Sequence, residues 1–298
     1  RRNMVKRNRK KSGLTPFTVI LLIFLAVYVV SLVVPLLWAL MTSLKEQSDF
    51  RLNIIGLPKE WAWENYPYVF GKFSVPVETD KGQAYVGMGG QFLYAFLYSF
   101  GCAFTNTLVP CLTAYLCARF PYKLSGWVYT TVIVVMTLPI VGSLPAEVQM
   151  AKNLGLYDTI WGLWIMKANF LGMYFLVFYN IYKNMPMAYT EAASIDGAGN
   201  LSVLFRIILP LSRNTFFTVM LINFISFWND YQTPLIYMPS KPTIAYGMFV
   251  MANATEPGLS TIPMRMTGAM LMLIPVLIVF LCFHKRLIGN LTVGGIKG

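Results

Sequence analysis

The chain has 298 residues, 56% of them hydrophobic and 12% charged, with a formal net charge of +12 and a mean hydropathy of +0.57. Soluble domains carry about 25% charged residues and less apolar surface, so this balance excludes an ordinary globular protein and implies a polytopic membrane protein. The basic excess does not imply nucleic acid, because Lys and Arg sit at the ends of apolar runs, where a membrane accounts for them. Cys102, Cys111, Cys117 and Cys282 all lie inside apolar runs without metal-ligand spacing, and are expected to be buried small apolar residues. The single histidine, His284, falls in the basic cluster after the last run, so neither a metal nor a bound cofactor is expected on this chain.

Residues 1–11 hold seven basic residues and no acid, which reads as a basic cytoplasmic segment, taken to residue 16. The chain starts at Arg1 rather than Met, so further residues are expected ahead of it. Residues 17–41 carry no charge over 25 positions, long enough to cross a bilayer with some tilt and too long for a signal-peptide core. Residues 42–90 mix charges, Gly and Pro with Trp61, Trp63, Tyr66 and Tyr68, and read as an outer loop with short helices. A second span is expected over residues 92–118. A third, over 127–146, is broken late by Pro139 and Pro145. The fourth covers 160–182, with Lys167 placed to snorkel. The fifth covers 214–238 and carries Trp228-Asn229-Asp230-Tyr231 in its outer half; an outer loop over 239–263 leads to the sixth, 266–283, and a tail over 284–298.

Six spans from an inside start leave both termini cytoplasmic, and basic residues concentrate on the inner segments so defined. Of twelve acids, only Glu191 and Asp196 fall inside. Residues 186–210 are therefore a polar cytoplasmic island between the fourth and fifth spans. Pro186 suits a first helical position, Gly197 and Gly199 a left-handed helix end, and Asn200 a cap for a second short helix. Leu201, Leu204, Phe205 and Ile208 share one apolar helical face, and Pro210 discourages helix through Leu209. That face must be covered, either by the rest of the chain or by another protein.

Glu191-Ala192-Ala193, three residues, Gly197, nine residues, Ile207, one residue, then Leu209-Pro210 resembles the EAA signature of ABC importer permeases at every named position. The tail Asn290-Leu-Thr-Val-Gly-Gly-Ile-Lys-Gly298, the outer-loop residues Leu57-Pro58, Glu64-Asn65-Tyr66 and Val69-Phe70, and Phe227-Trp228-Asn229-Asp230-Tyr231 with Pro234-Leu235 resemble the second permease subunit of maltose-type carbohydrate importers. The resemblance implies an all-α, six-helix type I importer permease fold with its core permease domain at residues 91–283. It also implies a bacterial plasma-membrane location and a complex: a second, different permease subunit, two ATPase subunits that bind ATP and Mg, and a periplasmic or lipid-anchored solute-binding protein that delivers a carbohydrate.

Residues 186–210 would then be the ATPase-coupling loop. Small Ala192 and Ala193 would permit close approach, Glu191 would pair with a basic ATPase residue, and Leu204 and Phe205 would anchor the apolar face, with Asp196, Gly197, Ile207, Leu209 and Pro210 completing the signature. Gly294, Gly295 and Lys297 of the tail would also contact the ATPases. No G-x-x-x-x-G-K-[ST] motif occurs, so ATP hydrolysis is not expected of this chain.

Sugar recognition needs convergent hydrogen bonds and an aromatic face, and Asn169, Tyr174, Asn223, Trp228 and Asn229 in the fourth and fifth spans can supply them. Each can equally bridge or pack helices. Asp230, an acid in or near the membrane, is a functional candidate, with a gate or structural role equally open. An ion-coupled secondary transporter is disfavoured, because the first four spans lack mid-depth carboxylates and no repeat relates the two halves. A membrane glycosyltransferase would need paired carboxylates or metal ligands on one face, and the inner face offers only Glu191 and Asp196. Polyamine, phosphate and peptide permeases share the loop signature; the tail and outer loop lean towards sugars.

Overall fold

The computed structural model describes residues 15–79, 82–120, 122–138, 142–253, 255 and 258–291, the last eight as backbone only. The basic segment 1–11 and the tail residues Gly294, Gly295 and Lys297 lie outside the described residues. Helix α1 (Pro16–Ser43) starts at a Thr15 cap whose hydroxyl accepts from the Thr18 amide, with Pro16 in its first turn. Its side chains from Ile20 to Leu36 are almost all exposed large apolar groups, as a helix surrounded by lipid requires.

Residues 42–90 form an ordered cap rather than a loose loop. They hold α2 (Gln47–Leu52), α3 (Asn65–Lys72) and an antiparallel hairpin of β1 (Ser74–Thr79) with β2 (Gly82–Gly87), Ser74 opposite Gly87 and Thr79 opposite Gly82. The hairpin corrects the expectation of an all-α chain. Val75 and Val77 point into the core beside Phe73 and Met88, whereas Pro76 and Glu78 point out, a period of two that no helix accommodates. The Asn65 amide donates to the carbonyls of Ser43 and Lys45, both at 2.9 Å, and so fastens the cap to the end of α1.

Helix α4 (Met88–Arg119) is the centre of the molecule, and its buried face is built from small residues such as Ala95, Ser99, Cys102, Ala103, Cys111 and Ala114. The third expected span is split into α5 (Lys123–Thr137) and α6 (Leu144–Asn153), with Gly142 at φ +84° before Pro145 in the first turn of α6. The fourth is split into α7 (Ile160–Met166) and α8 (Met173–Asn184) around an extended Gly172. After α9 (Ala188–Ile195), α10 (Asn200–Val203) and one π turn (Leu204–Ile208) run without interruption into α11 (Leu209–Trp228). The fifth expected span thus starts earlier than read from sequence and stops at Trp228; α12 (Gln232–Tyr237) is separate, and α13 (Ile244–Ala252) occupies the outer loop. Helix α14 (Ile262–Leu291) closes the fold and packs on α1.

Among the described residues, four helices are long and apolar enough to cross a membrane: Pro16–Ser43, Met88–Arg119, Asn200–Trp228 and Ile262–Phe283. Cys102, Cys111 and Cys117 are buried as expected, but Cys282 is exposed on the same helix as exposed Ile278 and Leu281. Asp158 holds a left-handed backbone (φ 55°) and accepts from the Ser240 amide (3.1 Å) and hydroxyl (2.6 Å), with Lys241 at 3.6 Å. These bonds tie the α6–α7 loop to the α12–α13 loop.

Gly101 lets α7 press against α4: the Trp164 indole N–H donates to the Leu97 carbonyl at 3.0 Å, and a Cβ at position 101 would lie 2.0 Å from that nitrogen. Gly101→Val should therefore displace Trp164 and destabilise the protein by about 1–3 kcal/mol, an overpacking cost, read as a lower thermal midpoint in detergent.

Candidate functional site

The island folds as an elbow. Met187 is the cap of α9 and Pro186 precedes it, so the proline lies outside the helix rather than in its first turn. The C-terminal end is a Schellman motif: Ala198 N–H donates to the Ala193 carbonyl (2.9 Å), Gly197 N–H to the Ser194 carbonyl (3.1 Å), and Gly197 sits at φ +76°. Gly199 has an ordinary negative φ of −71° and is itself the cap of α10, with Asn200 the first helical residue instead of the cap. Pro210 does not end the helix. It lacks an amide hydrogen for Arg206, and the chain widens by one residue before it, the Leu209 amide reaching back to Leu204.

This widening divides the expected apolar face. Leu204 is 6% exposed and packs inward with Val203 and Ile208 against Tyr115, Phe178 and Tyr182. Ala193 is buried in the same cluster, and Ile207 and Leu209 pack against it. Leu204 therefore anchors the elbow to its own bundle, a correction to its expected place in a partner contact. Leu201 (72% exposed), Phe205 (60%), Ile195 (87%) and Tyr189 project outward instead. Glu191, Ala192, Asp196, Gly197 and Pro210 are exposed alongside them. The sequence reading missed Ile195 and Tyr189; apolar residues stranded in a polar, Gly-ended turn were the available signal.

The six substrate-path candidates do not converge on one place. Asn223 is buried and donates to Thr107 Oγ1 at 3.1 Å, joining α11 to α4. The Trp228 indole donates to the Met272 carbonyl within the apolar core. Asn229 is exposed and donates to the Ile225 carbonyl of its own helix (2.8 Å). Asp230 accepts from Tyr98 Oη (2.9 Å) and from the Thr233 amide (3.0 Å), so from the position before the cap residue Tyr231 it takes up a free amide in the first turn of α12 and pins that helix to α4. Each of the four spends at least one polar atom on a helix-to-helix bond or a bond at a helix end.

Asn169 and Tyr174 do share a cavity of about 210 Å³ at the α7–α8 break, closed on the other side by Asn106 and Pro110 of α4. Asn169 Oδ1 accepts from the Leu171 amide (2.8 Å), which shapes the break and leaves its NH₂ group for other partners. Asn106 lies near the middle of α4 and escaped the sequence reading, although the polar triplet Thr105-Asn106-Thr107 in an otherwise apolar run was the available signal. A larger cavity of about 510 Å³ between α4, α11 and α14 is lined by Phe96, Phe100, Phe104, Phe217, Phe224 and other apolar residues, and has no group to bond a hydroxyl. Of these two cavities, the smaller is the one with polar side chains in its lining.

A helical membrane protein with a Schellman-ended elbow between two bundle helices, joined to an apolar core, has the architecture of a transporter permease. The fold is shared with a chain of a bacterial ABC transporter involved in import of the acidic polysaccharide alginate, at a TM-score of 0.73 and 20% identity, over 90% of this chain and 95% of that one. Residues 107–291 match the profile described as binding-protein-dependent transport system inner membrane component, and the chain belongs to that family. It is 26% identical over 275 residues to the diacetylchitobiose uptake system permease of Streptomyces coelicolor, covering 91% of this chain and 86% of that protein. It is 28% identical over 286 residues to the galactooligosaccharide transport permease of Bacillus subtilis, covering 95% of each. The arabinooligosaccharide transport permease of Bacillus subtilis is 25% identical, over 89% of this chain and 90% of that protein.

Because a side chain at position 197 must adopt a left-handed backbone, Gly197→Ala should cost about 1–2 kcal/mol. Gly197→Asn, whose short side chain tolerates that region, should cost less, and thermal unfolding of the purified variants orders the two.

Proposed function

We propose that this chain is the translocation subunit of an ATP-driven, binding-protein-dependent importer of oligosaccharides. The oligosaccharide uptake systems to which its relatives belong carry the substrate class, and the elbow carries the mechanism. Four apolar side chains held in water by a rigid turn cost solvation unless a partner covers them. In this reading the partner is an ATPase subunit, with Tyr189, Ile195, Leu201 and Phe205 as the apolar contact and Glu191 paired with a basic ATPase residue. ATP and Mg are bound by two such ATPase subunits. A second, different permease completes the pore, and a periplasmic or lipid-anchored binding protein delivers the sugar. The chain crosses the bacterial plasma membrane six times, the α5–α6 and α7–α8 pairs making the third and fourth crossings, with both termini and the tail residues Gly294, Gly295 and Lys297 on the ATPase side.

Within that frame, the α7–α8 break lines the sugar path. Irregular backbone at membrane depth persists where it borders water or protein rather than lipid. The unwound turn, Asn106, Asn169 and the Tyr174 ring together supply amide donors, acceptors and an aromatic wall. Closure of the ATPase dimer moves the elbow and, with it, the helices that border the path.

The test is reconstitution with the partner permease, the ATPases and the sugar-loaded binding protein in liposomes. Ile195→Asp and Phe205→Asp should each lower ATPase association and sugar-stimulated ATP hydrolysis by about tenfold or more, as loss of a central apolar anchor does. Glu191→Ala and Gly197→Pro should abolish coupled uptake; normal uptake in both would overturn the reading. In the same vesicles, Asn169→Asp, which keeps an acceptor for the Leu171 amide and removes the NH₂ donor, should lower sugar uptake at limiting sugar about fivefold or more while leaving basal ATP hydrolysis unchanged, the loss of a hydrogen bond made only to solute.

A further inference from the structure

Arg119 lies at the last turn of α4 and is 8% exposed. Its Nη2 donates to the Met185 carbonyl at 3.0 Å, its Nη1 to the Met187 sulfur, and its buried Nε–H has no partner among the described residues. A buried guanidinium is costly unless compensated, and these partners are neutral. The compensation comes from geometry. Helices α4 and α8 end at the same level, one at Arg119 and the other at Asn184 with Met185 as its cap. Each C-terminus carries unpaired carbonyls worth about half a negative charge. The guanidinium, carried by the last residue of α4, reaches the carbonyl of the residue that caps α8, and so brings positive charge to the C-terminal ends of both helices.

We propose that Arg119 is a positioning residue that locks the entry of the elbow to α4, so that displacement of α9 by an ATPase is delivered to α4 instead of being lost in the 185–187 linker. This rests on the coupling reading of the elbow. A second contact acts on the exit of the elbow. The Tyr182 hydroxyl, fully buried at the end of α8, hydrogen-bonds Cys111 Sγ on α4 (2.9 Å) and Ser212 Oγ on α11 (3.3 Å), and Ser212 in turn donates to the Ile208 carbonyl of the π turn. Entry and exit are thus both tied to the helix that carries Asn106. Tyr182 fixes the bundle end, whereas Arg119 is the bond that reaches past α8 into the linker, which makes it the link whose loss separates motion from assembly.

The experiment compares assembled wild-type and variant importers in liposomes, reading sugar molecules imported per ATP hydrolysed together with complex yield and thermal midpoint. Arg119→Met, of similar reach but without charge or donors, should lower the ratio about tenfold, a coupling effect of the usual size, while basal hydrolysis persists. Arg119→Lys keeps the charge at the two helix ends and should retain about half or more of the wild-type ratio. If Arg119→Met does not assemble, Arg119→Gln, which fills the same volume with a neutral donor, takes its place with a ratio expected between those of Met and Lys. A wild-type ratio in whichever neutral variant assembles, even with a lowered thermal midpoint, overturns the proposal and leaves only a structural role. If Glu191→Ala and Gly197→Pro also import normally, the coupling reading itself has failed; if those two are uncoupled while the neutral Arg119 variant is not, only the Arg119 assignment falls.

Discussion

In an apolar medium every backbone N–H and C=O has to find its partner inside the protein, and this requirement organises the molecule. Where helices run unbroken, as in α1, α4 and α14, the requirement is met locally and the side chains are free to be uniformly apolar. Where they break, something specific is installed. Asn169 Oδ1 takes up an amide at the α7–α8 break, and Asp230 accepts from Thr233 at the start of α12. Arg119 takes up a carbonyl at the end of α8. The π turn before Pro210 keeps the helix bonded by pairing Leu209 with Leu204. Several of the bundle's polar side chains therefore mark a break.

The same requirement separates polar residues that hold the fold from those free to meet a solute. Asn223, Trp228, Asn229 and Asp230 use their polar atoms on neighbouring helices or on their own helix ends. The cavity at the α7–α8 break keeps amide groups of Asn106 and Asn169 uncommitted beside an aromatic wall. Helix α4 joins the two regions: it lines that cavity at its middle, and at its end it holds the elbow through Arg119. A displacement at one end of a packed helix is felt along its length because interiors are nearly as dense as organic crystals.

The apolar runs, the polar island, the Glu191 to Pro210 spacing and the left-handed Gly197 are properties of local composition, and the sequence by itself determined them. Helix period, span length and the steric freedom of glycine need no knowledge of the neighbours. The resemblance to importer permeases followed from the same spacing and the lean towards sugars from the tail, outer-loop and fifth-span residues, and the family match and relatives bear out the resemblance. The positions of Pro186, Asn200 and Pro210 relative to helix ends were misread, because a proline's effect depends on whether the surrounding turn can widen to receive it.

Only the tertiary structure decided which side of the elbow faces inward. Leu201, Leu204, Phe205 and Ile208 look equivalent on a regular helix; one widened turn and packing with Tyr115 and Tyr182 bury Leu204 and Ile208 and leave Leu201 and Phe205 exposed. It likewise decided that Val75 and Val77 belong to a hairpin, that Asp230 takes up an amide in the first turn of a helix, and that Arg119, 66 residues before Met185, closes the junction between α8 and α9. Those outcomes depend on groups brought together from distant parts of the chain, and local pattern carries no information about such neighbours until the packing exists.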